Sequence, residues 1–385
     1  MSIKLALGGD VNFSRSRGQI AGLVRREHVS FLARIRRKMR SQLPIRPAPN
    51  ECLTDKIDKI LLKDYGGIWK NPEVEVPEDK DDGVPFWRIR TFFQEAHICF
   101  VNLETPLSCG GRHIGSFCSS PRVARILAAN NIHLVSIANN HSFDAGESGF
   151  LDTLQALKKN RIHYIGGGMN IQEARAGKIV KRKNLRLGFL SYTAICNSNF
   201  ISLAKSDQPG ILPLYEPLVM EDIARMRPKC DFLTIAPHFD LENTSHVHKS
   251  SIALARRLID QGADLIVGSH SHVPKPIELY RGKLIIYSLG NLIFTYTSKD
   301  WGDNLVAQIV LSESGQYENA RFFPIRGKNA FCFSPSIRED AEGNRLLDEI
   351  QKKSHGKFGT PLVRRDHYLE VPIPDSASPS YSGDF

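Results

Sequence analysis

Residues 263–274, ADLIVGSHSHVP, run a short apolar stretch straight into two histidines, His270 and His272. Such a stretch reads as an interior strand that must end, and turn, at the edge of a sheet. Two imidazoles two residues apart at a strand mouth point into one small volume, as first-row metal ligands do. Other ligand-type residues follow strand-like runs in the same manner: Asp10, Glu104, Asn140 with His141, and His238. The chain is therefore expected to gather loop-borne ligands at one sheet edge.

Strand-like runs over 3–9, 97–104, 132–140, 161–168, 185–193, 230–239, 263–270 and 283–291 alternate with helical periodicity over 120–131, 147–160, 219–227 and 249–262. Alternation of this kind implies an α/β architecture with ligands beyond the strand ends. Residues 304–313 and 320–327 read as an antiparallel pair, so the sheets are mixed. The 385 residues allow one large domain or two smaller ones, and 41% hydrophobic content is ample for a core.

Between the first and second strands the pattern changes. Ile20, Leu23, Val24, Phe31, Leu32, Ile35 and Met39 recur at helical spacing over 16–40, with arginines on the other face. Pro44, Pro47 and Pro49 end that helix, a second helix is expected over 53–64, and an acidic stretch follows at 72–83. The net charge of +10 comes almost wholly from 15–46, where ten Lys and Arg face the single acid Glu27. This helix either docks on its own domain by its apolar face, the favoured reading, or meets an anionic membrane surface or a polyanion. Nucleic acid fits least, because no aromatic residues interleave with the arginines for base stacking.

No apolar run approaches the roughly 18–20 residues that a membrane span needs. The opening MSIKLALGGDVNF has too short an apolar stretch for a secretory signal, so a soluble cytoplasmic protein is expected. Seven cysteines without a CxxC exclude zinc-ribbon and thioredoxin motifs and are expected to stay reduced. The tail over 375–385 is expected to lack order.

Each ligand candidate has a plain structural alternative. Asp10 after a Gly pair could cap a turn, ANNHSFDAG at 138–146 could be an Asn-rich loop, and a lone His238 at a strand end is more often structural. Five separate strand ends carrying such residues outweigh those alternatives together. Carboxylate, Asn and His in one set suit Mn, Fe or Zn rather than Ca. Two ions roughly 3.5–4 Å apart need a bridging oxygen, and Glu104 is the natural bridge. Asn140 offers a carbonyl oxygen, and His141 can act as an acid with Asp144 in reach to orient it.

These stretches resemble the CapA-like proteins, named for poly-γ-glutamate capsule synthesis, of the calcineurin-like metallophosphatase superfamily. The resemblance rests on GGDVNF at 8–13, VNLETPLS at 101–108, ANNHSFDAG at 138–146, PHFDLE at 237–242 and the long stretch at 255–294. It implies a four-layer αββα sandwich of two mixed sheets flanked by helices. It also implies a single domain over 1–330, with an insertion at about 15–94 and an extension over 331–385. Asp10 and Glu104 match a first-metal ligand and the bridging acid, Asn140 with His141 matches the superfamily's Asn-His pair, and His238, His270 and His272 match its later histidines. Asn12, Asn102, Asp240, Glu242 and Asn291 are expected to touch substrate or support the ligands. Asn12 stands where the superfamily often has a histidine, Ser269 replaces a common histidine, and His238-Phe239-Asp240 replaces His-Trp-Gly. The last change adds a carboxylate to a pocket wall. Capsule proteins of this family often carry a membrane anchor ahead of the first strand, and this chain is expected to lack one.

The implied activity is hydrolysis of a phosphoester by a metal-activated water, on an anionic substrate, within capsule or exopolymer synthesis. Two alternatives stand beside it: a non-hydrolytic polyanion-binding component, and an amide or acyl hydrolase on the same fold. Metal-activated water attacks phosphorus and carbon alike, so residue types alone leave the choice open.

Overall fold

The computed structural model describes residues 2–13, 86, 88–110, 115, 117–196, 201–294, 301–327 and 335–372. The expected helices at 16–40 and 53–64, the acidic stretch at 72–83 and the tail at 375–385 lie outside the described residues.

Strand β1 (Ile3–Asn12) is buried along its length except for Lys4, because it runs through the middle of a sheet. A short helix, α1 (Arg90–Gln94), leads into β2 (Ile98–Leu103). There follow α2 (Arg122–Ala129), β3 (Leu134–Ser136), α3 (Gly146–Lys159) and β4 (His163–Ile165). The chain then forms β5 (Gly167–Gly168), α4 (Ile171–Ala176), the hairpin β6 (Lys178–Arg182) and β7 (Leu185–Thr193), and β8 (Gly210–Ile211). Next come α5 (Glu216–Met226), β9 (Phe232–His238), α6 (Lys249–Asp260) and β10 (Leu265–Val267). The last part holds β11 (Ile277–Tyr280), β12 (Lys283–Ile286), β13 (Asn291–Phe294), β14 (Asn304–Leu311) and β15 (Tyr317–Ile325). Helix α7 (Ala341–Phe358), β16 (Val363–Arg364) and β17 (Leu369–Val371) complete it.

Among the described residues the strands form two large mixed sheets and one small one. The first runs β16-β17-β15-β14-β1-β2-β3-β4, with β13 also paired to β1, and the second runs β11-β12-β10-β9-β7-β6. Strands β1 to β4 are parallel neighbours, as are β12, β10, β9 and β7, while β14, β15, β6 and β11 pair antiparallel.

Side-chain alternation sets the layers. Leu5 and Leu7 of β1 join Phe100, Phe189, Phe232, Leu265 and Ile286 in a core between the two sheets. Phe100 and Phe189 stack across it with ring centroids 6.3 Å apart. Ala6, one residue out of phase, faces the other way, into a core that α2 and α3 cover with Leu127, Leu154 and Leu157. On the outer face of the second sheet, Leu190, Leu233 and Ile266 pack beneath Ile223 and Leu258 of α5 and α6. The result is the four-layer αββα sandwich that the resemblance implies. Leu347, Ile350, Leu369 and Val371 belong to the inter-sheet core, so residues 335–372 are part of the same packing unit.

One expected element divides. The run 283–291 is not a single strand: β12 lies in the second sheet and β13 in the first, and residues 287–290 cross between them. The chain stays buried throughout the crossing, so hydrophobicity does not mark it. Two glycines permit it. Gly290 has φ of +77°, and a Cβ on Gly9 would lie 1.8 Å from the Gly290 carbonyl oxygen. The approach lets Asp10 donate its backbone N–H to that carbonyl at 3.0 Å. No helix among the described residues is long and apolar enough to cross a membrane.

Candidate metal centre

The candidate ligands leave the carboxyl ends of parallel strands in both sheets, where open α/β sheets place their sites. Asp10 of β1 stands in register with Asn102 of β2 on one side and Asn291 of β13 on the other. Glu104 follows β2 directly, His238 ends β9, and His270 and His272 lie in the loop after β10. Both loop histidines adopt positive φ, +99° and +59°, a costly backbone for residues with a Cβ. The turn is what aims two imidazoles inward from three successive positions.

Two overlapping sets of potential ligand atoms result. Glu104, His238 and His270 form one, and Asp10, Glu104 and His272 form the other, with the ligand atoms of each set within 4.8 Å of one another. All five side chains are buried. Glu104 Oε1 lies 4.0 Å from His238 Nε2 and 3.7 Å from His272 Nε2. Glu104 Oε1 and His270 Nδ1 are buried without a hydrogen-bond partner among the described residues. Orphaned buried polar atoms are costly, and a divalent cation between them would satisfy both. The residues present thus fit a metal.

Asn102 braces the carboxylates. Its Nδ2 donates to Asp10 Oδ1 at 2.9 Å and to Glu104 Oε2 at 3.1 Å. Its Oδ1 accepts from Asn139 Nδ2 at 3.2 Å. Asn139 also donates to the Leu103 carbonyl at 2.8 Å and accepts from the His141 backbone N–H at 3.2 Å, so it ties the 138–144 loop to β2. His238 lies with Nε2 2.8 Å from Asn140 Oδ1 and Nδ1 2.8 Å from Ser269 Oγ. His272 Nδ1 lies 3.0 Å from Asn291 Oδ1, and its Nε2 is 3.6 Å from Glu242 Oε1.

Burial, followed by the neighbouring His270 and His272, holds the His238 imidazole well below its usual pKa, so the ring is neutral. Burial, with the charge of His272 beside it, also pushes His270 down to about 4. Neutral imidazoles are the form that ligates metal. Glu104 is raised well above the carboxylate range, first by burial and then by Asp10. Burial works against a charged His272, but Glu104, Asp10 and Glu242 outweigh it and hold that ring well above its usual value. Without a cation the cluster is a set of crowded acids steadied by one imidazolium.

Beside these ligands, His141 Nδ1 lies 2.8 Å from Asp144 Oδ2, which also accepts the Phe117 backbone N–H at 2.8 Å. That contact occupies Nδ1 and leaves Nε2 as the ring's remaining nitrogen.

A family model described as "Bacterial capsule synthesis protein PGA_cap" matches residues 4–296. The chain belongs to that family. The PGA biosynthesis protein CapA of Bacillus subtilis is 31% identical over 266 residues, covering 67% of this chain and 70% of that protein. A probable polyglutamine synthesis accessory protein of Mycobacterium tuberculosis is 31% identical over 296 residues, covering 71% and 77%. Among solved structures, the calcineurin-like phosphoesterase YfkN of Bacillus subtilis is similar at 12% identity, with a TM-score of 0.37 over 92% of this chain and 97% of that one. That score lends no weight to the architecture, which stands on the sheet order and the three cores.

In this PGA_cap member the residues expected at the site mostly converge: Asp10, Asn102, Glu104, Asn140, His238, Glu242, His270, His272 and Asn291 all touch the cluster. Asn12 is buried at the end of β1. Asp240 turns elsewhere. Its Oδ2 pairs with Lys275 Nζ at 3.0 Å, and both side chains are fully buried. Residue-by-residue reading gave no role to Asn139 or to the serine at 269, although the Asn139–Asn140 doublet was itself a signal. It also missed an aromatic wall. Phe117 lies 4.4 Å from the His141 ring, Phe294 and Trp301 lie 4.8 and 4.6 Å from His272, and Phe294 touches both Phe117 and Trp301. These rings come from three separated segments, so no local motif announces them.

Proposed function

We propose that this PGA_cap protein is a metal-dependent hydrolase that cleaves a phosphoester of an anionic substrate in capsule or exopolymer synthesis. The observation that carries the proposal is Glu104, shared by both ligand sets, with Oε1 buried and without a hydrogen-bond partner among the described residues. Asp10, Glu104 and His272 would hold one ion, and Glu104, Asn140, His238 and His270 a second; Mn, Fe or Zn suits such mixed O and N donors. Ions bound there supply Lewis acidity toward the scissile group and a nucleophilic water at neutral pH.

The chain's own residues do the rest. Asp144 fixes the His141 ring through Nδ1, and His141 Nε2 delivers a proton to the leaving oxygen. Asn102 and Asn139 hold the carboxylates and the His141 loop in one frame. Phe117, Phe294 and Trp301 shield the two histidines from bulk water. The relatives' names, PGA biosynthesis and polyglutamine synthesis, support a polymer-linked substrate.

The test is metal analysis of the purified protein with Mn-dependent turnover of p-nitrophenyl phosphate and bis(p-nitrophenyl) phosphate. Turnover lost in His141→Ala and His270→Ala supports the assignment. Turnover undiminished in both, or cleavage confined to γ-glutamyl amides, overturns it.

A further inference from the structure

The wall beside His272 is completed by the far end of the chain. Trp301 and Asp303 lie just ahead of β14 and Arg338 just ahead of α7, all past the stretch that the family model matches. Arg338 is buried and pairs with Asp303. Asp303 Oδ1 also accepts the Gly327 N–H at 3.1 Å. Two residues before Asp303, Trp301 donates its indole N–H to Asn243 Oδ1 at 2.6 Å. Asn243, with φ of +58°, donates its own backbone N–H at 2.9 Å to the carbonyl of Ser271, between His270 and His272. The indole is thus held from two sides, by the Arg338–Asp303 pair and by Asn243 on the ligand loop.

The one N–H of the indole is used in that contact, so what Trp301 offers a ligand is ring surface. The ring lies 4.6 Å from His272 and stands at 87° to Phe294, with centroids 5.2 Å apart. Phe294 in turn lies 4.8 Å from His272. Two rings at right angles form a corner, and Glu242 stands next to it. It directly precedes Asn243, its Oε1 is 3.6 Å from His272 Nε2, and 44% of its side chain is open to solvent.

Every part of this corner has the same electrostatic preference, because aromatic faces and a carboxylate both attract a cation. Among the described residues no Lys or Arg answers it. The charges that act most strongly on Glu104, Glu242, His270 and His272 are those of one another, Asp10 and His141. Lys275, in the same loop as the two histidines, is buried against Asp240. A second anionic group beside the phosphoryl group is therefore disfavoured here. A sugar ring would satisfy the indole and leave the Glu242 charge unpaired, whereas an ammonium satisfies both.

We propose that Glu242, Trp301 and Phe294 form a subsite for an ammonium group, and that the substrate is an aminoalkyl phosphoester. The proposal rests on the phosphoester reading above and narrows its substrate class. His272 borders both the ligand set and the corner, so a short arm joins the phosphoryl group to the ammonium. A phosphate dianion with one ammonium remains anionic overall.

The experiment titrates O-phosphoethanolamine and ethyl phosphate into the Mn²⁺-loaded full chain by calorimetry. The two ligands share the phosphate and differ in the ammonium. O-phosphoethanolamine is expected to bind about tenfold more tightly, as a cation between a ring face and a carboxylate should. In Glu242→Gln and in Trp301→Leu that ratio is expected to fall to within about twofold. Equal binding of the two ligands by the unmodified chain, binding of neither, or a ratio that survives both substitutions overturns the proposal. So does tighter binding of glucose 1-phosphate than of O-phosphoethanolamine, or loss of bound Mn²⁺ in Glu242→Gln, which would make Glu242 an ion ligand. Turnover of p-nitrophenyl phosphate is followed in parallel. Turnover without the ammonium preference sinks this proposal alone, and the preference without turnover sinks the hydrolase assignment.

Discussion

Lys275 Nζ lies 3.0 Å from Asp240 Oδ2, and neither side chain reaches solvent. Lys275 also donates to the His246 carbonyl at 2.6 Å, and Asp240 accepts the His248 N–H at 3.3 Å. The pair thus links the loop after β9, which carries Glu242, to the loop after β10, which carries His270 and His272. Burial lowers the Lys275 pKa and Asp240 opposes that effect.

Removing one partner strands the other charge in the interior. Lys275→Met is expected to destabilise the fold by about 3–5 kcal/mol, measured by urea unfolding. Lys275→Met combined with Asp240→Asn should cost clearly less than Lys275→Met alone. Equal losses would show that packing of the lysine stem, and not charge pairing, holds the loops.

Metal binding should be visible without any substrate. Added to chelator-stripped protein, Mn²⁺ is expected to raise the thermal midpoint, because a ligand that binds only the folded state stabilises it by mass action. Glu104→Gln should remove that rise. In chelator the same variant should be no less stable than the unmodified chain, because it relieves the crowding of Glu104 with Asp10. A midpoint rise that survives Glu104→Gln would place the ion elsewhere.

His141 and Asp144 should act on rate and leave the ions in place. His141→Asn is expected to lower kcat by about a hundredfold or more, the usual worth of a general acid, with metal content unchanged. Asp144→Asn should give a smaller loss in the same direction, because the ring keeps a hydrogen-bond partner. Loss of metal in either variant would make His141 a ligand in place of an acid.

Away from the site, Asp340 caps α7 by accepting the Gly343 N–H at 3.0 Å and pairs with Arg338 at 2.6 Å. Arg338 foremost holds its pKa down to about 2, against an ordinary 3.8. A depressed carboxylate stabilises the fold above its unfolded pKa and loses that contribution as pH falls through the folded value. The stability gap between the unmodified chain and Asp340→Asn should therefore be flat from neutral pH to about 5 and shrink as pH approaches about 2. A gap that persists at the acid end would rule out the carboxylate charge as its source.

Much of the sandwich was legible because it is written in short-range periodicity. Leu5, Ala6 and Leu7 alternate between the inter-sheet and outer cores just as a two-residue period requires. The edge strand Lys178–Arg182 was not foreseen, since its lysines give a weak apolar signal. The division of 283–291 was not foreseen either, because a buried chain can change sheets without changing composition.

The candidate site divides along a similar line. Ligand chemistry at strand ends was readable from residue type and position: a carboxylate after β2, an Asn-His pair after β3, a histidine ending β9 and two histidines after β10. Those features follow from local rules of hydrophobic pattern and turn, which each stretch obeys by itself. Tertiary packing alone decided that Asp240 is drawn to Lys275, and that Phe117, Phe294 and Trp301 wall the histidines. The contact from the His270 N–H to Asp10 Oδ2, at 3.4 Å, joins residues 260 positions apart. Such a distance is set by how two sheets dock, and no local pattern encodes the docking.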